Sequence, residues 1–399
     1  MHIWKAFQIS VKIAGLTPHS KVSAQVLSLI PVFILIGYLA YHAKLTVALF
    51  EAAKRWIAWV PGGLAVSTVF ATAGFAAVSG ASVATAAVFA RIAIPEMLKV
   101  GYNKAFAAGV VAAGGTLGIL IPPSTGFVIF AILTEQSIGR LFLAGVIPGL
   151  LLLAMFMLTV SIICYLRPSA GPRGPVTTWD EKRRAIGGAF PILSVVVITI
   201  GGIYGGFFSP VEAAGVGAGL VIIYGIAKRR LSLVDFWGAS RSSVVTTATV
   251  MLILIGAHMI NPFLALSHLP TYVGEALVAL DLPVLGILAL MLLVYLVLGC
   301  FLEGFAMLVL TLPIFFPVVL ELGIDPIWFG VLVVLTLEMG LISPPVGINV
   351  FIVKSVAPYV SLADIFRGVA PFWLAMLVTL IILIAFPQLS LFLPDTMFN

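Results

Sequence analysis

The chain has 399 residues, 62% of them hydrophobic and only 9% charged, with a mean hydropathy of +1.22 and a formal charge of +6. An apolar share far above that of a water-soluble domain, delivered in long runs such as Leu141 to Leu166, excludes a soluble fold and indicates an all-α polytopic membrane protein: hydrocarbon requires every backbone N–H and C=O to find an internal partner, and runs of about 20 apolar residues meet that as helices. Two cysteines in separate hydrophobic segments, Cys164 and Cys300, exclude a disulfide framework and a cysteine metal cluster, and the excess positive charge sits mainly in connecting loops, where it reports orientation rather than nucleic-acid binding.

Along the chain, residues 1–25 carry Lys5, Lys12 and Lys21 ahead of a first apolar segment, Val22 to Lys44. Lys44 to Val60 then places Leu45, Leu49, Ala53, Trp56, Ile57 and Val60 on one helical face and Lys44, Glu51, Lys54 and Arg55 elsewhere, the pattern of an amphipathic arm lying on the membrane surface. An interrupted segment follows, FAAVSGASVATAAVF (Phe75 to Phe89), and then the span Ala105 to Thr134, which contains GGTLGILIPPSTG. Leu141 to Leu166 crosses back to the basic loop Arg167 to Arg184. Ala185 to Phe207 and Ser209 to Ala227 form an out-and-back pair that ends at Lys228 to Arg230. Leu231 to Ser243 is expected along the surface and Val244 to Leu266 as a separate crossing. A second interrupted segment, YLVLGCFLEGFAMLV (Tyr295 to Val309), precedes Trp328 to Val353 with its TLEMGLISPPVGI, and Pro371 to Pro387 is the last span.

The helix breakers repeat. Pro122 and Pro344 differ by 222 positions, and the same shift lays Pro95 on Pro317, Gly101 on Gly323, Gly118 on Gly340 and Pro123 on Pro345. One Pro-Pro pair inside a membrane helix reads as a kink or as a true break; two pairs in register require the same backbone geometry twice. Each half is therefore expected to hold a re-entrant hairpin followed by a broken helix.

Charge indicates that the halves are inverted. The flanks of the first hairpin, Lys44 to Val60 and Pro95 to Lys104, carry five bases against two acids, a net +3. Their equivalents, Leu266 to Leu282 and Pro317 to Pro326, carry Glu275, Asp281, Glu321 and Asp325 and no Lys or Arg, a net −4. The bias of Lys and Arg toward the cytoplasm puts the first hairpin's entry inside and the second's outside. The same shift leaves the first half without a partner for Ser209 to Ala227 and puts the lysines before Gln25 outside, so a missing N-terminal helix is expected.

SGASVATAA (Ser79 to Ala87), IPEM (Ile94 to Met97), FAAGVVAAGGTLGILIPPS (Phe106 to Ser124), GGIYGGFFSPVEAA (Gly201 to Ala214) and EMGLISPPVGINVF (Glu338 to Phe351) closely resemble the large membrane (M) subunit of tripartite ATP-independent periplasmic (TRAP) transporters. The likeness runs from about Ser28 to the C-terminus. It implies a multi-pass protein of the bacterial inner membrane, an inverted-repeat elevator-type transporter that takes up organic anions with Na+. It also implies two partners, a periplasmic binding protein that delivers substrate and a small membrane (Q) subunit that braces the large one. Members usually begin with one further helix.

The residue chemistry suits that role. A sodium ion needs about five or six oxygens, which carbonyls at unwound helix ends and hydroxyls supply, while half-helix N-termini favour an anion. Candidates for sodium are Ser79, Gly80 and Ser82 at the first tip with Gly114, Thr116 and Gly118 opposite, and Gly299 and Gly304 at the second tip with Thr336, Met339 and Gly340 opposite. Small residues equally permit close helix packing. Candidates for the substrate are Ser82, Ser124, Glu303, Asn349 and Arg91. Glu303 and Glu338 are carboxylates in apolar surroundings, with hydrogen bonding to exposed helix N–H groups as the alternative role; Glu303 stands where the resembled family often has Asp. Arg91 either attracts a substrate carboxylate or snorkels to the surface.

An enzyme is not indicated. GASVA (Gly80 to Ala84) lacks the final glycine of a nucleophile elbow, neither HExxH nor a Walker A motif occurs, and the five histidines are scattered. The expected organisation is a moving transport domain from residues 62–134 and 283–355. Residues 1–61, 135–282 and 356–399 would form a scaffold set among membrane lipids. Two other functions share these features: a related carboxylate symporter that works without a binding protein, and a channel.

Overall fold

A computed structural model of the chain describes residues 25–174, 177–267 and 269–398, which contain seventeen α-helices and no strand. The preceding residues, and with them the expectation of a missing first helix, lie outside the described residues. Helix α1 (Leu29–His42) meets α2 (Leu45–Ile57) at 68°, where Lys44 takes a left-handed conformation. The hairpin arms α3 (Gly63–Ser79) and α4 (Ser82–Lys99) follow, then α5 (Lys104–Leu120), bent by 41° across Ile121 to Ser124 into α6 (Thr125–Thr134). The middle of the chain is α7 (Ile138–Leu166), α8 (Trp179–Tyr204), α9 (Pro210–Ala227), α10 (Leu233–Leu266) and α11 (Leu269–Val278). The second hairpin is α12 (Val284–Gly299) with α13 (Gly304–Glu321), and the second broken helix is α14 (Pro326–Gly340) with α15 (Ile348–Val356). Helices α16 (Leu362–Ala385) and α17 (Gln388–Phe398) end the chain.

The 222-residue register is visible in the helix ends. Ser82 and Lys99 bound α4, and Gly304 and Glu321, each 222 residues later, bound α13. The caps repeat too. Asn103 accepts from the N–H groups of Ala105 and Phe106 at the start of α5, and Asp325 does the same for Ile327 and Trp328 at the start of α14. A short polar side chain at both N-caps satisfies two donors that the helix itself leaves free.

Among the described residues six helices are long and apolar enough to span a bilayer, or eight if each of two bent pairs, α1 with α2 and α5 with α6, is taken as one span. The hairpin arms α3 and α12, at 17 and 16 residues, fall short of that length, whereas the return arm α13, at 18, is one of the six. Burial sorts the remainder. Every residue of α5 from Phe106 to Leu120 and of α14 from Ile327 to Gly340 is buried, so the two broken helices form the centre. Helices α8, α9 and α10 expose Phe190, Val197, Ile223, Ile226 and Leu252, which leaves them to face lipid.

Four boundaries differ from expectation. Helix α10 is continuous, where a surface segment and a separate crossing were expected; no Gly or Pro interrupts SRSSVVTTATV, so nothing stops the backbone hydrogen bonds at Ser243. Helix α8 starts at Trp179, inside the expected loop, because Thr178 and Glu181 form a capping box. Helix α16 starts at Leu362 with Ser361 as cap and carries Pro371 internally. Helix α17 was not expected; it holds Asp395, whose Oδ1 lies 3.3 Å from Arg140 Nη2 at the start of α7.

Candidate functional site

Each hairpin tip closes on the broken helix of its own half at an equivalent glycine. A Cβ on Gly118 would stand 2.7 Å from the Ala81 carbonyl, and one on Gly340 would stand 2.6 Å from the Gly299 backbone. The other expected glycines are tight as well: a Cβ would meet Thr72 Oγ1 at 2.8 Å from Gly114, Gly340 Cα at 3.1 Å from Gly299 and Leu337 Cδ2 at 2.6 Å from Gly304. Small size at these positions sets how near the backbones come.

The first tip is also bonded to its own break. Gly80, at φ +58°, presents its carbonyl to the Thr125 N–H at 3.2 Å and to Thr125 Oγ1 at 2.6 Å. Ser79 Oγ lies 3.1 Å from Thr85 Oγ1. Thr125 is absent from the residues expected from sequence. Its signal is its place at the first residue of α6, directly after the Pro-Pro break, where its N–H is free of the helix. The Pro122–Pro123 and Pro344–Pro345 peptide bonds are both cis.

Between the halves runs a chain of buried polar groups. Ser82 Oγ donates to Glu338 Oε2 at 2.8 Å, and Asn349 Nδ2 donates to Ser82 Oγ at 2.8 Å. Ser82 opens α4, Glu338 is two residues from the end of α14, and Asn349 is the second residue of α15. The start of the first hairpin's return arm is thus tied to both sides of the second break. Glu303 caps α13, accepting on Oε2 from the N–H groups of Phe305 at 2.8 Å and Ala306 at 3.2 Å.

The two hairpin tips border a cavity of about 770 Å³, which neither Glu338 nor Asn349, both fully buried, lines. Its lining includes Ser79, Ser82 and Arg91 from the first hairpin, Glu303 and Phe305 from the second, and Tyr38, Tyr41, His42 and Thr246 from α1 and α10. Both tips therefore face one space. Arg91 is exposed and makes no hydrogen bond or ion pair among the described residues. Other candidates sit elsewhere. Ser124 is buried as the cap of α6, its Oγ accepting from Phe127 N–H at 3.3 Å, and does not line the cavity. Thr116 Oγ1 donates to the Ala113 carbonyl and Thr336 Oγ1 to the Leu332 carbonyl, each within its own helix. The Met339 carbonyl accepts from Ser343 Oγ at 2.6 Å.

Helix α2 is held to the first hairpin by charge. Lys54 of α2 bonds Glu51 at 2.7 Å and Glu96 of the first hairpin at 2.8 Å. Burial pulls the Lys54 ammonium down, but the hydrogen bonds and charges of Glu51 and Glu96 raise it, and the balance lies above its ordinary value.

The family described as "Tripartite ATP-independent periplasmic transporter, DctM component" matches residues 1–389. The C4-dicarboxylate TRAP transporter large permease protein DctM of Pseudomonas aeruginosa is 38% identical over 371 residues, 92% of this chain and 85% of that protein. The sialic acid TRAP transporter large permease protein SiaM of Vibrio cholerae is 34% identical over 374 residues, 92% and 85% of the two chains. Among solved structures, the YdaH transporter of Alcanivorax borkumensis aligns with a TM-score of 0.65 at 15% identity, over 97% of this chain and 89% of that one, a likeness of fold. The breakers repeated 222 residues apart, the paired tips and the matches along almost the whole length agree: this chain belongs to the DctM family, the large permease subunits of tripartite ATP-independent periplasmic transporters.

Proposed function

We propose that the chain, a multi-pass protein of the bacterial inner membrane, carries out sodium-coupled uptake of organic anions delivered by a periplasmic binding protein, and works beside a small membrane subunit. The cargo class is a carboxylate such as a C4-dicarboxylate or a sialic acid, the substrates in the names of the two relatives. The observation that carries the proposal is the single cavity bordered by both hairpin tips, with Ser79 and Ser82 on one side and Glu303 on the other.

In this mechanism residues 62–134 and 283–355 move as one transport domain against the remaining helices. Sodium, bound by carbonyls and hydroxyls at the tips and breaks, draws each tip onto its broken helix and completes an anion site under the N-termini of α4 and α13. The tightness of Gly118 and Gly340 suits such closure, since no side chain intervenes. The cavity runs from the tips down α4 as far as Arg91, nine residues or about 13 Å of helix beyond Ser82, whereas on the second hairpin it reaches only Phe305. It thus extends toward the base of the first hairpin, the cytoplasmic side by the charge bias, which supports an inward-facing conformation. Arg91 stands along that route, where it attracts a departing anion.

Proteoliposome uptake tests the proposal. Transport that requires both a sodium gradient and the soluble binding protein supports it. Uptake without the binding protein identifies a lone symporter, and conductance at channel rates identifies neither carrier.

A further inference from the structure

The cavity beside the tips has two unlike walls. On the hairpin side α4 presents one stripe, in which Val83, Ala84, Ala87 and Val88 separate Ser82 from Arg91. The facing wall is built by α1 and α10. Ser242, Thr246 and Thr249 of α10 lie four and three residues apart, the period of one helix face, with Tyr38, Tyr41 and His42 of α1 beside them. Tyr38 Oη lies 3.0 Å from Thr246 Oγ1 and joins the two helices. Along the stretch between Ser82 and Arg91 the polar groups therefore come from α1 and α10. A Cβ on Gly37 would stand 2.9 Å from Ser79 Cα, which places Gly37 at the tip. His42, the last residue of α1, is then about 7.5 Å of helix nearer the hairpin base, toward Arg91.

His42 gives this wall a charge that can change. Its Nδ1 lies 3.7 Å from Asp235 Oδ1 at the start of α10, and its ring rests on Gly238, where a Cβ would stand 3.2 Å from Cε1. Nε2 makes no hydrogen bond among the described residues. The Asp235 carboxylate favours the tautomer with its proton on Nδ1, so Nε2 of the neutral ring is a bare lone pair, and protonation turns it into a donor on a cation. The other charged groups near His42 are bases: Lys44 at the corner after α1, Arg241 of α10, the run Lys228 to Arg230 after α9, whose Gly225 packs on Ala43, and Arg91 across the cavity. Helix α3 has no charged residue, and Glu51, Lys54 and Arg55 of α2 are engaged in their own pairs. Of these side-chain types, with Tyr38 and Tyr41 included, histidine alone ordinarily changes charge between about pH 5 and 8.

We infer that Arg91 and His42, one on each wall, form an anion site at the cytoplasmic mouth of the cavity, which a carboxylate cargo occupies on its way out and which holds it more tightly when His42 is protonated. Arg91 has no ion-pair partner among the described residues, and a carboxylate has two oxygens, one for each base. With His42 neutral the lone pair on Nε2 faces the anion and favours its departure. Acid on the inside therefore slows release. The inference rests on the anion uptake proposed above, to which it adds a release-side site and a dependence on internal pH.

The test reads the charge at the mouth directly. The full chain, with Cys164 and Cys300 replaced and Ser242→Cys as reporter, is placed in lipid nanodiscs without sodium. It is labelled with an anionic and a cationic methanethiosulfonate at about pH 6 and about pH 8, the range over which histidine titrates. The ratio of the two rates cancels the thiolate fraction. One added charge at about 7 Å in a wet cavity raises that ratio roughly fivefold. The expected result is this rise on acidification, its loss in His42→Gln, and a lower ratio at both pH values in Arg91→Gln. Proteoliposome uptake should run up to about threefold slower with the interior at the lower pH, and at one rate in His42→Gln. Arg91, exposed and unbonded, supplies the second variant if His42→Gln does not fold. A ratio that ignores pH, or that still follows it in His42→Gln, would overturn the site while sodium-dependent uptake stands. The expected labelling from a chain without sodium-dependent uptake would keep the anion site and overturn the coupled function. Uptake indifferent to internal pH would overturn the role in release.

Discussion

Ser82 and Glu338, 256 residues apart in the chain, share a 2.8 Å hydrogen bond from Ser82 Oγ to Glu338 Oε2. Ser82 also accepts from Asn349, so one hydroxyl links the first hairpin to both sides of the second break. Ser82→Ala removes the donor to a buried carboxylate and the acceptor for a buried amide. A loss of about 1–3 kcal/mol is expected, from desolvated groups left unpaired. Thermal unfolding in detergent checks the stability, and proteoliposome uptake is expected to fall with it; an unchanged melting temperature would count against the bond.

Gly340→Ala places a methyl 2.6 Å from the Gly299 backbone, where no side chain can move aside. The two helices must separate, at about 1–3 kcal/mol, and the second tip can no longer close. Gly215→Ala and Gly219→Ala, in α9 with nothing within 4 Å, are the controls. These should be neutral or more stable by up to about 1 kcal/mol, since Ala favours helix over Gly. Melting temperature and uptake rate should drop together in the first variant and in neither control.

Thr125→Val removes the side-chain bond to the Gly80 carbonyl but leaves the backbone one. The expected destabilisation is about 1 kcal/mol. The first tip, freed from its break, should show faster amide hydrogen exchange around Ser79 to Val83, with the second hairpin unaffected.

Lys54 ties the arm to the first hairpin through Glu96. Its side chain is 25% exposed and its partners more so, which limits Lys54→Met to a loss of up to about 1 kcal/mol, smaller at high salt. Because its folded pKa is raised, this contribution is fully present below about 10.5 and is lost as pH rises through the higher folded value. The stability difference between wild type and Lys54→Met should be flat across neutral pH and shrink only in strong base.

Inverted repeats fix which loops each side can reach. In a chain with Cys164 and Cys300 replaced, Arg173→Cys and Asp281→Cys, both at exposed positions, should react with an impermeant thiol reagent from opposite sides. Arg173→Cys is expected to label from the cytoplasm and Asp281→Cys from the periplasm. Labelling of both from one side would exclude inversion.

Much of the site's framework was legible because its signals are local. Proline and glycine act on the backbone where they stand, so the tips at Ser79 to Ser82 and Gly299 to Gly304 and the breaks at Pro122 and Pro344 fall where the breakers put them. Candidate hydroxyls were less legible. Thr116 and Thr336 resemble ligands by position, yet each bonds a carbonyl three or four residues earlier, an option open to any buried helical threonine.

By itself the sequence determined that the chain lies in a membrane, that its helices are interrupted twice in the same manner, and that the halves keep a 222-residue register, since hydropathy and backbone freedom depend on neighbours along the chain. Only the tertiary structure decided that Ser82 meets Glu338 and Asn349, that Thr125 holds Gly80, and that one cavity touches both tips. Those contacts join residues up to 267 positions apart and arise from how buried helices pack, which no local spacing records.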